Sequence, residues 1–148
     1  MAIRAWAARR DELNIVEAGK NYGWPAVVFG HDYNGDVMSP QPWREGMQAP
    51  LVIWTPSIGV SGLMFYTGDR IPEWKGDVFV AGLSGQNVVR VVFNDRGGPI
   101  GRESLLGSLK MRMRDVRQGP DGLVYVAVDA NPGGILRIEP AQSQTSME

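Results

Sequence analysis

The chain has 148 residues, 43% of them hydrophobic and 21% charged, a globular composition long enough for one domain of ordinary size. Fifteen Lys and Arg against sixteen Asp and Glu give a formal net charge of −1; with no long basic run, this argues against non-specific nucleic-acid binding and makes any anion site local. The absence of cysteine removes disulfides, thiolate zinc sites and cysteine nucleophiles, no apolar run is long enough for a membrane span, and MAIRAWAARRDE does not read as a secretory signal.

Nineteen glycines and ten prolines are spread through the chain, and no segment sustains the apolar spacing of an amphipathic helix, so the texture is that of short strands and turns. Residues 1–10 carry no usable pattern and read as an irregular N-terminus, with structure expected from Asp11. Glu12 to Val16 alternates as a short strand, and Ala18 to Asn21 is its turn. Asn21-Tyr22-Gly23-Trp24-Pro25 suits a packed corner or an edge strand ended by proline. Gly30 to Pro50 is a long loop of the kind that is functional or mobile. It holds the one histidine, His31, which on a polar loop and without a second histidine reads as a surface residue. Asp32, Asn34 and Asp36 imitate the opening of a calcium loop, but Trp43 stands where an EF-hand needs its glutamate.

Leu51 to Trp54 is a short apolar strand, Thr55-Pro56-Ser57 breaks it, and Val60 to Tyr66 starts another. The chain then repeats itself. Trp74 to Ala81, a glycine-containing turn and Val89-Arg90-Val91 have a counterpart in Asp121 to Ala127, a second such turn and Leu136-Arg137-Ile138. The interval of about 46 residues is that of a β-propeller blade. Pro99 to Leu106 offers the first unit a fourth strand, whereas the second ends at Pro140 and a polar tail, 141–148. One whole blade, one blade without its last strand and the outer strands of a preceding blade in residues 11 to 25 result. Such a partial propeller leaves faces open, so either the chain is a fragment or copies complete a ring, three of them at about two blades each.

Lys110 to Asp129, KMRMRDVRQGPDGLVYVAVD, carries the most chemistry. Arg112, Arg114 and Val116 lie at i, i+2 and i+4, which on an extended strand sends both guanidinium groups off one face. The Gly-Pro-Asp-Gly turn and the strand Leu123 to Val128 make this the first leg of a hairpin. Two arginines on one face bind an anion or, in the structural reading, pair with Glu103, Asp115 or Asp121.

DELNIVEAGKNYGWP, GHDYNGD, WTPSIGVSGLMFYTGDRIPEWKGDVFVAGLSGQNVVRV and RMRDVRQGPDGLVYVAVD together resemble the C-terminal portion of soluble aldose sugar dehydrogenases of the glucose/sorbosone dehydrogenase family. The resemblance runs in order from Asp11 to about Pro140 and covers less than half of a family member. It implies an all-β chain, part of a six-bladed β-propeller, that uses pyrroloquinoline quinone (PQQ) and calcium to oxidise an aldose at its anomeric carbon, in proteins typically exported to the periplasm. It further implies that Arg112, Met113 and Arg114 face the quinone, that Tyr33 lies near it, and that Gly82, Leu83 and Ser84 contact it from the adjacent blade. Glu12 and Tyr22, the latter through its main-chain carbonyl, match a calcium site, and Trp54 and Ser57 wall the sugar pocket.

Three departures stand out. The family usually has lysine at the position of Ser84. Upstream of Asp11 its pattern Glu-His-Gly-Pro-Arg-Gly-Gly is replaced by Arg4-Ala5-Trp6-Ala7-Ala8-Arg9-Arg10, two strings that a one-base shift can interconvert, so a frameshift or misplaced start is expected. The histidine that takes the sugar's proton has no counterpart here, and His31 does not occupy its place. The chain alone is therefore expected to show little dehydrogenase activity, the alternative being an inactive propeller fragment that associates with itself, with the missing blades or with a partner.

Overall fold

Strands account for nearly all regular structure in a computed structural model, which describes residues 2–6, 10–24, 26–27 and 43–141. Among these are ten strands: β1 (Ala2–Trp6), β2 (Arg10–Asn14), β3 (Val52–Trp54), β4 (Val60–Phe65), β5 (Val78–Gly82), β6 (Asn87–Phe93), β7 (Pro99–Leu105), β8 (Met113–Gln118), β9 (Val124–Val128) and β10 (Gly134–Ile138). They form three antiparallel sheets, ordered β1-β2-β3, β4-β5-β6-β7 and β10-β9-β8. The first strands of successive sheets approach one another, β1 against β4 and β4 against β8. This is the arrangement of propeller blades around an axis, so the chain is all-β and builds part of a β-propeller, as expected. No helix among the described residues is long and apolar enough to cross a membrane.

The repeat is visible in register. Val78 of β5 pairs with Val91, and Val124 of β9 pairs with Ile138, each as the second strand of its sheet. β5 shows why its sequence, VFVAG, does not alternate: all five residues are buried because the sheet is covered on both faces. Phe79 and Ala81 join Met64, Tyr66 and Val88 against Met113, Val116, Val124 and Val126 of the third sheet. Val78 and Val80, with Val60, Val89 and Val91, meet Leu13, Val52 and Trp54 of the first. Burying a side chain such as Phe or Val contributes roughly 1.5–3 kcal/mol, and these two interfaces hold the blades together.

Two expectations change. Residues 2–6, read as irregular, form β1, because pairing with β2 from Ala2↔Asn14 to Trp6↔Arg10 supplies ladder bonds that no side-chain pattern advertised. The preceding blade accordingly draws on β1 and β3 as well as on β2, the strand of the three that overlaps residues 11 to 25.

The inner strands that flank the site share one irregularity. In β4, Val60 pairs with Gly82 and Gly62 with Ala81, which leaves Ser61 as an extra residue. In β8, Met113 pairs with Val128 and Asp115 with Ala127, which leaves Arg114 extra. A β-bulge of this kind bends its strand and re-aims a side chain. It also shifts the alternation, so that Met113 and Val116 are both fully buried. Val116 therefore leaves the arginine face that simple alternation assigned to it.

Candidate functional site

Arg112 immediately precedes β8 and Arg114 is its bulged residue; between them Met113 is buried and anchors the strand. Arg112 Nε donates to Asp129 Oδ2 at 2.9 Å, and Arg114 Nη2 lies 3.0 Å from the same oxygen. Backbone pairing brings the carboxylate there, since the Asp129 N–H donates to the Arg112 carbonyl at 2.8 Å. The hydrogen bond from Arg112, and next that from Arg114, hold the Asp129 carboxyl below its ordinary value of 3.8. Both arginine side chains remain about half exposed, at 49% and 53%. The two arginines do share a face, but their carboxylate is none of Glu103, Asp115 or Asp121: Glu103 pairs with Arg90, Asp115 with Arg117, and Asp121 accepts from the Tyr125 hydroxyl.

β4 holds the arginine strand in place. Ser61 Oγ donates to the Met113 carbonyl at 2.7 Å and lies 3.1 Å from the Ala81 carbonyl. Next to it the strands nearly touch, and a Cβ on Gly62 would stand 2.9 Å from Asp115 Cα. Only glycine admits that approach. The backbone between the two arginines is thus fixed from behind.

Two loops at the ends of β4 and β5 lie together. Leu83 N–H donates to the Gly59 carbonyl and Gly85 N–H to the Ile58 carbonyl, both at 2.9 Å, while Ser84 Oγ donates to the Ser57 carbonyl at 3.2 Å. Gly59 has φ of +64°, and a Cβ there would meet Ser84 Oγ at 2.9 Å, so the turn requires glycine twice over. Ser57, Gly82, Leu83 and Ser84, assigned to two different ligands by the resemblance, are brought side by side. Asp11 of β2 is buried beneath them, and its Oδ2 accepts from Ser57 Oγ and Gly59 N–H, each at 2.8 Å, and from Val60 N–H at 3.3 Å.

The remaining candidates are more dispersed. Trp54, opposite Asp11 in the β2–β3 register, is only 6% exposed and packs in the interface between the first two sheets. Its Nε1 and Asp11 Oδ1 are both buried without a hydrogen-bond partner among the described residues. Glu12 Oε2 accepts from Asn14 Nδ2 at 3.4 Å. The Tyr22 hydroxyl donates to the Ile15 carbonyl and accepts from the Glu17 N–H, both at 2.7 Å. Among the described residues no three of His, Cys, Asp and Glu are grouped to hold a metal ion. Tyr33, like His31, Asp32, Asn34 and Asp36, lies outside the described residues.

Sequence reasoning missed Asp129 and Asp11. For Asp129 a signal existed, because a residue just past the second leg of a hairpin lies opposite the start of the first. Asp11 gave none; its donors lie 46 to 49 residues away.

Residues 7–137 match the family described as Glucose / Sorbosone dehydrogenase. Aldose sugar dehydrogenase YliI of Escherichia coli strain K12 is 38% identical over 134 residues, which cover 88% of this chain and 35% of the relative. A crystal structure of a glucose dehydrogenase superposes with a TM-score of 0.87 at 34% identity, covering 94% of this chain and 40% of that one. The PQQ-bound form of the aldose sugar dehydrogenase of Streptomyces coelicolor, at 22% identity and a TM-score of 0.68, shares the fold over 93% of this chain and 38% of its own. The chain spans little more than a third of the length of the curated relatives it matches. It belongs to the glucose/sorbosone dehydrogenase family.

Proposed function

We propose that this chain supplies the quinone-holding part of a PQQ-dependent sugar dehydrogenase acting on aldoses. The observation that carries the reading is the convergence of Arg112 and Arg114, half exposed, from a bulged inner strand. Their two positive charges face one carboxylate, so the locus keeps a surplus positive charge, and a guanidinium has more N–H donors than Asp129 engages. That surplus fits a ligand bearing several carboxylates, for which planar guanidinium forks are better suited than lysine. Gly82, Leu83 and Ser84 add a second wall, with Tyr33 assigned to the same ligand.

When bound, PQQ supplies two-electron redox chemistry, taking up the hydride that the sugar loses from its anomeric carbon. The chain's own residues bind and orient: the arginines fix the carboxylated ligand and favour negative charge on it, and Met113 holds them at a constant separation. Ser57 is assigned to the sugar side, and Trp54, buried between the first two sheets, supports that wall from behind. Glu12 and the Tyr22 carbonyl are oxygen donors of the kind calcium prefers, but two are fewer than the roughly six to eight it takes, so they form part of a site. No residue of this chain is assigned the base that receives the sugar's hydroxyl proton.

Titration of the full chain with PQQ tests the reading. Arg114→Ala removes a charge-assisted contact of about 1.5–3 kcal/mol, so Kd rises roughly ten- to a hundredfold, with Arg112→Ala comparable. Unchanged affinity in both variants, or no binding by the parent chain, rejects it. A dye-linked glucose assay on the same samples separates binding from turnover.

A second reading, a self-associating propeller scaffold, is favoured by the outer face of the third sheet. There Ile135 is 74% exposed and lies with Tyr125, Ala127, Asp115 and Arg117 around a shallow depression of about 170 Å³.

A further inference from the structure

We propose that Asp11 is the positioning residue of the candidate site: from the first sheet its carboxylate fixes the loop 57–60, and through that loop it fixes Leu83 to Gly85. Asp11 is only 1% exposed, and one oxygen, Oδ2, takes three donors, from Ser57 Oγ, Gly59 N–H and Val60 N–H. Three donors converging on one oxygen suit an acceptor-only carboxylate.

The loop passes the constraint on. The N–H of Gly59 is shared between Asp11 Oδ2 at 2.8 Å and Ser57 Oγ at 3.0 Å, a hydroxyl that Asp11 itself holds, and its carbonyl takes Leu83 N–H; the carbonyl of Ile58 takes Gly85 N–H, and that of Ser57 takes Ser84 Oγ. Each of these three loop residues therefore presents its carbonyl to the second loop, while Ser57 and Gly59 are pinned by Asp11. Hydrogen bonds chained in this way reinforce one another in a poorly solvated setting. Asp11 needs no contact with a ligand, since it acts by holding Gly59, against which Ser84 and Leu83 are seated. The link to ligand binding rests on the assignment of Gly82 to Ser84 as a quinone contact; the mechanical link between the loops does not.

Amide hydrogen exchange and PQQ titration on the full chain and on Asp11→Ala test this together. In Asp11→Ala, exchange at Gly59 and Val60 accelerates, and so does exchange at Leu83 and Gly85, by at least about tenfold, while the amides of β5 and β6 keep their protection. PQQ affinity falls by about the same factor. Leu83 and Gly85 unchanged in the variant, or affinity unchanged in a parent that binds PQQ, overturns the proposal. A parent that fails to bind PQQ removes the quinone assignment and leaves the exchange experiment to decide the role of Asp11. Should Asp11→Ala not fold, Asp11→Asn replaces it: its neutral carbonyl accepts the same donors more weakly, so the same amides accelerate by a smaller factor. Protection lost uniformly through β5 and β6 in that variant marks general destabilisation and overturns the positioning role.

Discussion

At the scale of single residues, Asp129 decides how the arginine pair behaves. Its folded value lies below 3.8, so the pairing contributes fully above that pH and is lost as pH falls through the lowered value. Carboxyl titration by NMR is expected to place the Asp129 midpoint below 3.8, and Arg112→Ala, which removes the larger cause, moves it up more than Arg114→Ala does. Ser84 makes the complementary case. It is exposed and spends its hydroxyl on the Ser57 carbonyl, so Ser84→Lys adds a positive charge beside the second wall with little cost to packing. PQQ affinity is expected to rise a few-fold, with the gain fading in high salt. The arginines were legible because two like charges two residues apart on a strand define a face. Asp129 was legible only through the hairpin, as the residue past its second leg, and Asp11 was not legible, because its donors arrive from a loop and strand 46 to 49 residues on.

At the scale of elements, the central strands were legible and the inner strands only in part. The run in β5 is apolar because neighbouring sheets cover both its faces, whereas β9 buries Val124 and Val126 on one face and leaves Tyr125 and Ala127 on the other; the boundaries of both fall within a few residues of where turn residues put them. β8 was legible as a strand, but its bulge was not, since nothing local distinguishes Arg114 from an ordinary alternating residue; the partner strand decides it. β1 escaped because its ladder is its main support. The contact between β4 and β8 gives a direct test. Gly62→Val forces a side chain into space already held by Asp115, which costs about 1–3 kcal/mol of stability by overpacking and spreads the two inner strands. Urea unfolding measures the loss, and the same variant should weaken PQQ binding because Met113 shifts with its strand. Stability reduced with affinity intact would show that the arginines do not depend on β4.

At the scale of the whole molecule, among the described residues one sheet is covered on both faces and two are covered on one. The number of blades was legible from the repeat and from the surplus of turns; the completeness of the first sheet was not. Exposed Ile135 beside Tyr125 and Ala127 predicts association of the chain with a second copy as concentration rises, measured by light scattering, and Ile135→Lys is expected to return it to monomer. A chain monomeric at all concentrations would remove the scaffold reading. The twin bulges carry a different consequence. The same kink displays a hydroxyl on one inner strand and a guanidinium on the next, opposite the dipeptides Ala81-Gly82 and Ala127-Val128. The backbone thus offers the same socket on two successive inner strands, and its occupant decides its use: a hydroxyl ties one strand to the carbonyl of Met113, whereas an arginine side chain on the other stays half exposed to solvent.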